Sequence, residues 1–233
     1  MQPPSSKERR RHPRGYVAAF ATVFVEETLL AKETRVGEYV VRDLSAGGAQ
    51  LVNGPPLEPG MRCRVHLEIA GLGKLRVPAV TVRAAHTPYS NGSIGVMFTH
   101  LRPDVEDGLQ QLVLQELERA TMPSVLVACS DIAAASAVAD ALAEIGERPL
   151  LALTALEALV WLADPNTRVE LALLGEHLMG GSPAELAATM AQEFKHIRCV
   201  TFQGPLSSTT LSRLLDAYVP APAQRPSQIA LQQ

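Results

Sequence analysis

The chain has 233 residues, enough for one large domain or two modest ones. Hydrophobic residues make up 47% of it, so a folded core is expected, and the net charge of −3 gives no argument for nucleic-acid or membrane-surface binding. Residues 1–122 carry fifteen Lys and Arg against thirteen Asp and Glu, and residues 123–233 carry six against eleven. The first half therefore suits an anionic ligand better than the second.

Cysteines and histidines give no sign of a metal site or of catalysis. Cys63, Cys129 and Cys199 are odd in number and far apart. Their spacing fits no disulfide framework or metal site, so we expect reduced core thiols in a cytoplasmic protein. Neither a membrane-spanning apolar run nor a signal peptide is recognisable, and no enzymatic activity is predicted.

The N-terminus combines a polar lead with a basic cluster. Residues 1–8 are rich in Pro and Ser and are expected to form a flexible tail. Arg9-Arg10-Arg11-His12-Pro13-Arg14 follows. Because Pro13 cannot continue a helix and biases His12 toward an extended conformation, we place the arginines on an extended arm. A solvated basic tail is the common alternative for such a run.

Several short apolar runs at hairpin spacing follow the arm. Strands are expected at residues 16–25, 39–44, 49–52, 61–70, 75–84 and 93–98. Residues 26–38 are expected to form a loop with at most a short strand, and residues 88–92 a turn. This spacing predicts an antiparallel barrel or sandwich. A helix beginning at Pro103 closes the unit, and a boundary is expected at 121–123.

The stretch Asp43-Leu44-Ser45-Ala46-Gly47-Gly48 separates two of these strands. Asp and Ser side chains bond nearby backbone groups at turns, and Gly adopts positive φ without steric cost. Taken alone, the stretch predicts an ordinary β-turn.

Strands alternate with helices after Pro123. Strands are expected at 124–128, 150–153, 169–174 and 197–202, and helices at 131–146 and from residues 154, 182 and 207. Alternation of this kind predicts βα units, a parallel sheet and a doubly wound α/β fold. The tail at 220–233, rich in Pro, Ala and Gln, is predicted to be disordered.

The basic arm and the turn together resemble a known family. Arg10 and Arg14 match RxxxR, and Asp43–Gly48 matches DxSxxG. With the barrel strands, Gly95-Val96-Met97-Phe98 and the closing helix, residues 9–122 resemble the PilZ domain, the bacterial receptor for cyclic di-GMP. The resemblance covers about residues 7–120.

This resemblance implies cyclic di-GMP as the ligand, with no other cofactor. The ligand-binding residues it implies are Arg9, Arg10, Arg14, Asp43, Ser45 and Gly48. Arginine forks would bind phosphate or guanine O6 and N7, Asp43 would accept from guanine N–H groups, Ser45 would add a hydroxyl, and Gly48 would let the backbone approach. Some PilZ-like domains bind no nucleotide and only recruit proteins, so a constitutive scaffold is the alternative.

Residues 123–219 resemble a response-regulator receiver that lacks its phosphorylation chemistry. Cys129-Ser130-Asp131 stands where that family has two acids, Gly175 where it has the phosphoacceptor Asp, and Gly204-Pro205 where it has Lys-Pro. The segment is also short by about one βα unit. Without these groups, no charge set holds Mg²⁺ and a phosphoryl group. The resemblance implies a pseudo-receiver for protein contact or dimerisation; a generic α/β domain is the alternative.

The two resemblances together predict a bacterial signalling protein rather than an enzyme. Cyclic di-GMP would order the 9–14 arm and change what the receiver-like domain binds. Its protein partners are unidentified, a homodimer is one option, and neither nucleic-acid binding nor membrane insertion is expected.

Overall fold

The computed structural model describes residues 12–27, 32–87, 90–204 and 206–218. Within them, six strands close an antiparallel barrel in the order β1-β2-β3-β6-β5-β4. The strands are β1 (Ala19–Glu27), β2 (Lys32–Ser45), β3 (Gly48–Gly54), β4 (Arg62–Ile69), β5 (Gly73–Thr87) and β6 (Ser90–Phe98). Helix α1 (Pro103–Glu118) and a 3-10 turn at Arg119–Thr121 follow.

Alternation of apolar and polar residues explains the barrel. In β4, Cys63 and Val65 are buried and their strand neighbours are more exposed, which is the period-two pattern of a half-buried strand. Helix α1 adds Leu109 and Val113 to the same core. The predicted all-β unit with a closing helix is therefore confirmed as a closed barrel.

A parallel sheet forms the second half. Its elements are β7 (Pro123–Ala128), α2 (Ile132–Glu144), β8 (Arg148–Ala152), α3 (Ala155–Ala163), β9 (Arg168–Leu174), α4 (Pro183–Glu193), β10 (Arg198–Thr201) and α5 (Ser208–Tyr218). Among the described residues, the four strands are ordered β10-β9-β7-β8. One core cluster includes residues of α2 and α5, and another includes residues of α3 and α4. The prediction of an α/β half with a parallel sheet is confirmed.

The prediction of a loop at residues 26–38 was wrong. Strand β1 continues to Glu27 and β2 begins at Lys32, and these two residues face each other in the antiparallel register. Sequence alternation is weak here because this end of the hairpin is exposed and polar. Arg64 of β4 reaches across β1 to Glu33 of β2, with its Nη1 2.5 Å from Oε1.

Two smaller expectations also need correction. The turn expected at 88–92 is narrower, because β5 extends to Thr87 and β6 begins at Ser90. Cys199 was expected in a core but is exposed, whereas Cys63 and Cys129 are buried. Cys199 lies on β10, the edge strand of this sheet in the described residues. No helix in the described part of the chain is long and apolar enough to cross a membrane.

Apolar and polar contacts join the barrel to the second half. Ala18, Phe20 and Val40, on the outer face of the barrel, share a core cluster with residues of β7 and α2. The backbone N–H of Gly71 donates to Asp140 Oδ1 at 3.0 Å. Burial of apolar surface between the barrel and the second half holds the two halves against each other.

We expect His66 to make the barrel sensitive to acid. Burial is the largest cause that lowers the pKa of His66; Arg76 and Arg64 lower it further, Glu33 raises it, and Phe24 packs with ring centroids 4.5 Å apart. Since the unfolded chain then binds this proton more readily, stability declines as the pH falls below the ordinary value of about 6.5. Urea unfolding at about pH 8 and about pH 5.5 checks this. His66→Gln should lose less stability on acidification than the wild type; an equal loss contradicts the assignment.

Candidate ligand site

Backbone pairing brings the basic arm to the DxSxxG turn. The N–H of Gly15 donates to the Leu44 carbonyl at 3.1 Å, and the N–H of Leu44 donates to the Gly15 carbonyl at 2.9 Å. This bridge places Arg14 beside Asp43, and Nη1 donates to Oδ1 at 3.2 Å. The two side chains are 36% and 28% exposed, so a ligand can reach both. Two predicted site residues that are 29 positions apart are thus in contact.

The other two predicted residues of the turn serve its internal structure. Ser45 is 2% exposed, and its hydroxyl donates to the Gly48 carbonyl at 3.0 Å. Gly48 has φ = 156°, and a Cβ there would collide with the Val96 carbonyl oxygen. The backbone of Gly48 is therefore in close contact with the backbone of strand β6. Both residues hold the turn that presents Asp43.

His12 is a contact that the motif analysis did not single out. Its Cδ2 lies 3.2 Å from where a Cβ on Gly47 would stand, and its Nε2 lies 3.7 Å from Glu106 Oε1 of α1. The arm is therefore held between the turn and α1 from residue 12 onward. Arg9 and Arg10 lie outside the described residues, as do the predicted tails at 1–8 and 220–233.

A polar row continues from Asp43 across the outer face of the barrel. Asp43 pairs in register with Gln50, Gln50 with Gly95, and Gly95 with Arg83. Arg83 Nη2 lies 3.4 Å from Gln50 Oε1, and Gln50 Nε2 lies 3.4 Å from Ser93 Oγ. These residues are far apart in sequence, and the register of β2, β3, β6 and β5 brings them together.

Residues 8–115 match the family model described as PilZ domain. The barrel half, named the PilZ domain after this match, is similar to that family over these residues. Comparison with curated proteins gives no match.

The chain is also similar to several solved structures, with TM-scores below 0.4. YcgR from Escherichia coli in complex with c-di-GMP is 24% identical, with a TM-score of 0.39, over 48% of this chain and 46% of that one. The inhibitor of motility MotI/DgrA from Bacillus subtilis is 16% identical, with a TM-score of 0.39, over 50% and 56%. The response regulator MaeR bound to beryllium trifluoride is 15% identical, with a TM-score of 0.33, over 47% and 88%. The chain spans about half the length of YcgR and MotI/DgrA.

The PilZ domain contacts the second half through Tyr16, two residues after Arg14. The Leu151 N–H, on the outer edge of β8, donates to the Tyr16 hydroxyl at 2.8 Å. The Tyr16 ring packs edge-to-face on Trp161 of α3, with centroids 4.8 Å apart. Burial raises the pKa of Tyr16, so its hydroxyl stays protonated.

Arg42, the residue before Asp43, also contacts the second half of the chain. A register shift between Val41 and Asp43 leaves Arg42 outside the regular pairing of β2 with β3. Shifts of this kind re-aim a side chain. The guanidinium of Arg42 lies 5.0 Å from the Trp161 ring centroid, within the range of a cation–π contact. Neighbours of both Arg14 and Asp43 therefore meet at one indole ring.

The strand ends of the second half carry no acidic cluster in the described residues. Asp131 caps α2, with Oδ1 accepting from the N–H groups of Ala133 at 2.9 Å and Ala134 at 3.2 Å. Gly175 follows β9, and a Cβ there would lie 2.5 Å from Cys129 Sγ. No group of three or more possible metal-ligating His, Cys, Asp or Glu is present within the described ranges. The resemblance to receivers stays a prediction.

Proposed function

We propose that the protein is a cyclic di-GMP-responsive signalling protein without enzymatic activity. The carrying observation is the contact of Arg14 with Asp43, one residue from each motif, on an accessible face of the barrel. We include Arg9, Arg10, Ser45 and Gly48 in the site as proposed. The proposed domain limits are 9–122 and 123–219.

The pair offers both kinds of group that a guanine nucleotide requires. The Arg14 guanidinium can donate two parallel bonds to a phosphate or to guanine O6 and N7. Asp43 uses Oδ1 for Arg14, and no other described residue donates to Oδ2, which can accept from guanine N1–H and N2–H. A ligand can therefore bind Asp43 while the ion pair persists, so binding does not require the cost of separating two charges.

Arg14→Ala and Asp43→Ala are each expected to weaken cyclic di-GMP binding by about tenfold to a hundredfold. Each removes about 1–3 kcal/mol of charge-assisted hydrogen bonding. Isothermal titration calorimetry of the full chain measures this. Arg35→Ala and Glu38→Ala are the matched controls, because they break an exposed ion pair of 2.6 Å on the same strand β2. Wild-type affinity in the two controls is expected.

A wild type that gives no binding heat at high protein concentration contradicts the proposal. The constitutive scaffold then remains, and it predicts partner capture that is insensitive to cyclic di-GMP. Pull-downs with and without the nucleotide separate these functions.

Tyr16 and Arg42 support a route by which ligand binding affects the second half of the chain. Arg14 and Tyr16 are separated by one residue, and Arg42 directly precedes Asp43. Both Tyr16 and Arg42 contact Trp161. A ligand that repositions the Arg14–Asp43 pair would therefore change the contacts of α3. We propose that this alters a protein-binding surface of the second half.

We also propose that the second half is not phosphorylated at the position equivalent to a receiver's acceptor. Gly175 carries no side chain, and a Cβ at this position would lie 2.5 Å from Cys129 Sγ. Asp131, the nearest acid after β7, is already used as the α2 cap. Without that phosphorylation site, the second half would be controlled through ligand binding to the PilZ domain.

A further inference from the structure

The polar row on the barrel extends the candidate site beyond the two motifs. Adjacent strands lie about 4.8 Å apart, so three strand steps separate Asp43 from Arg83 by about 14 Å at the backbone. Arg83 bends back over Gly95, where a Cβ would lie 2.6 Å from Arg83 Cγ. Its Nη2 then lies 3.4 Å from Gln50 Oε1. The guanidinium therefore approaches the strand next to Asp43.

Nothing in the described part of the chain locks Arg83 in this position. It is exposed, and no described carboxylate lies within ion-pair distance of it. The 3.4 Å contact with Gln50 is longer than a normal hydrogen bond, and so is the 3.4 Å contact of Gln50 with Ser93. An acceptor from a ligand can thus replace the Gln50 carbonyl at little cost.

The hydrogen-bonding groups along the row are complementary to those of a guanine base. Guanine presents N1–H and N2–H donors on one edge and O6 and N7 acceptors on another. Asp43 supplies an acceptor at one end of the row, and Arg83 supplies a planar donor fork at the other. Because Gly95 has no side chain, the Arg83 side chain can lie over it, with Cγ 2.6 Å from where a Cβ would stand. A base lying over Gln50 can therefore meet Asp43 at one edge and the Arg83 guanidinium at the other.

We propose that Arg83 is a ligand-binding residue that recognises the O6/N7 edge of the guanine whose N–H edge faces Asp43. The inference rests on the proposed cyclic di-GMP function and assigns base specificity to that same site.

Arg83→Ala tests the assignment with two ligands, cyclic di-GMP and its 7-deazaguanine analogue, in which C–H replaces the N7 acceptor. Calorimetry on the full chain should show that Arg83→Ala binds cyclic di-GMP about tenfold to a hundredfold more weakly than the wild type. The wild type should lose affinity for the analogue, whereas Arg83→Ala should bind both ligands equally, because the lost acceptor and the lost donor belong to one contact. Arg83→Lys should be intermediate, since Lys lacks the fork.

Arg76→Ala is the matched control, because Arg76 is also an exposed arginine of β5. Equal affinities of Arg83→Ala and Arg76→Ala, with Arg14→Ala impaired, overturn the inference and leave the proposed function intact. If Arg83→Ala weakens the binding of cyclic di-GMP and of the analogue by the same factor relative to the wild type, Arg83 contacts phosphate, and the base assignment is overturned. A wild type that binds neither ligand fails the proposed function itself.

Discussion

Gly48→Ala is expected to destabilise the PilZ domain by about 2–6 kcal/mol, from about 1–3 kcal/mol of backbone strain and about 1–3 kcal/mol of overpacking. Gly48 has φ = 156°, which residues with a side chain rarely adopt, and its added methyl would collide with the Val96 carbonyl oxygen. That oxygen belongs to the backbone of β6, so no rotamer change relieves the contact. The loss is a large fraction of the 5–15 kcal/mol typical of a domain.

Urea unfolding measures the effect, and Gly47→Ala is the control. The same methyl group is added one residue earlier, where its nearest neighbour is the side-chain atom Cδ2 of His12 at 3.2 Å. His12 can shift by a few tenths of an ångström, so Gly47→Ala should cost less than about 1 kcal/mol. Equal unfolding midpoints for the two variants would falsify the explanation. Where Gly48→Ala remains folded, it should also bind cyclic di-GMP more weakly, because Ser45 and Gly48 hold the turn that carries Asp43.

Motif spacing was sufficient to predict one contact of the candidate site. RxxxR and DxSxxG indicated that Arg14 and Asp43 act together, and the Gly15–Leu44 bridge places them 3.2 Å apart. The individual roles of the turn residues were harder to predict. A Ser or Gly that shapes a turn and one that touches a ligand have the same sequence pattern, and only the contacts of Ser45 with Gly48 distinguish them.

Features that depend on tertiary register were not predictable from the sequence. Arg83 joins the polar row because β5 pairs with β6 in a register that shifts between Thr81 and Arg83. The contact of Tyr16 with Trp161 requires two halves whose packing no local pattern encodes. The length of strand β2 was underestimated for a related reason. Its charged residues outside the core interact with residues of neighbouring strands, so this part of the strand shows no apolar alternation.

Tyr16→Ala is expected to cost about 3 kcal/mol, the lower end of the range for truncating a buried aromatic ring, because Tyr16 is partly buried. The substitution removes the edge-to-face packing on Trp161 and leaves the Leu151 N–H on the edge of β8 without its acceptor. Tyr16→Phe keeps the ring and removes only that acceptor, so it should cost about 1–3 kcal/mol. Urea unfolding followed by Trp fluorescence reports the loss directly, because Trp161 is the single tryptophan of the chain.

The same fluorophore tests whether the ligand site communicates with the second half. Cyclic di-GMP should change the emission of Trp161 in the wild type and change it less in Tyr16→Phe. Tyr16→Phe/Arg42→Ala should show almost no change, because it removes the bond of the Tyr16 hydroxyl with Leu151, whose carbonyl accepts from Trp161, and also the Arg42 contact with the Trp161 ring. Calorimetry must show that these variants still bind the nucleotide, since neither residue belongs to the candidate site.

Tyr39→Phe is the control for loss of a tyrosine hydroxyl. The Tyr39 hydroxyl donates to the Pro55 carbonyl at 2.6 Å within the PilZ domain, so its removal weakens the barrel without touching Trp161. Its emission change should equal that of the wild type. An equal response in Tyr16→Phe/Arg42→Ala would show that the ligand signal does not reach Trp161 through the contacts of Tyr16 and Arg42. The contacts of Tyr16 and Arg42 would then stabilise the fold and carry no regulation. Loss of the response with binding retained would identify the interface between the two halves as the coupling element, because only a ligand that interacts differently with two states can shift their populations.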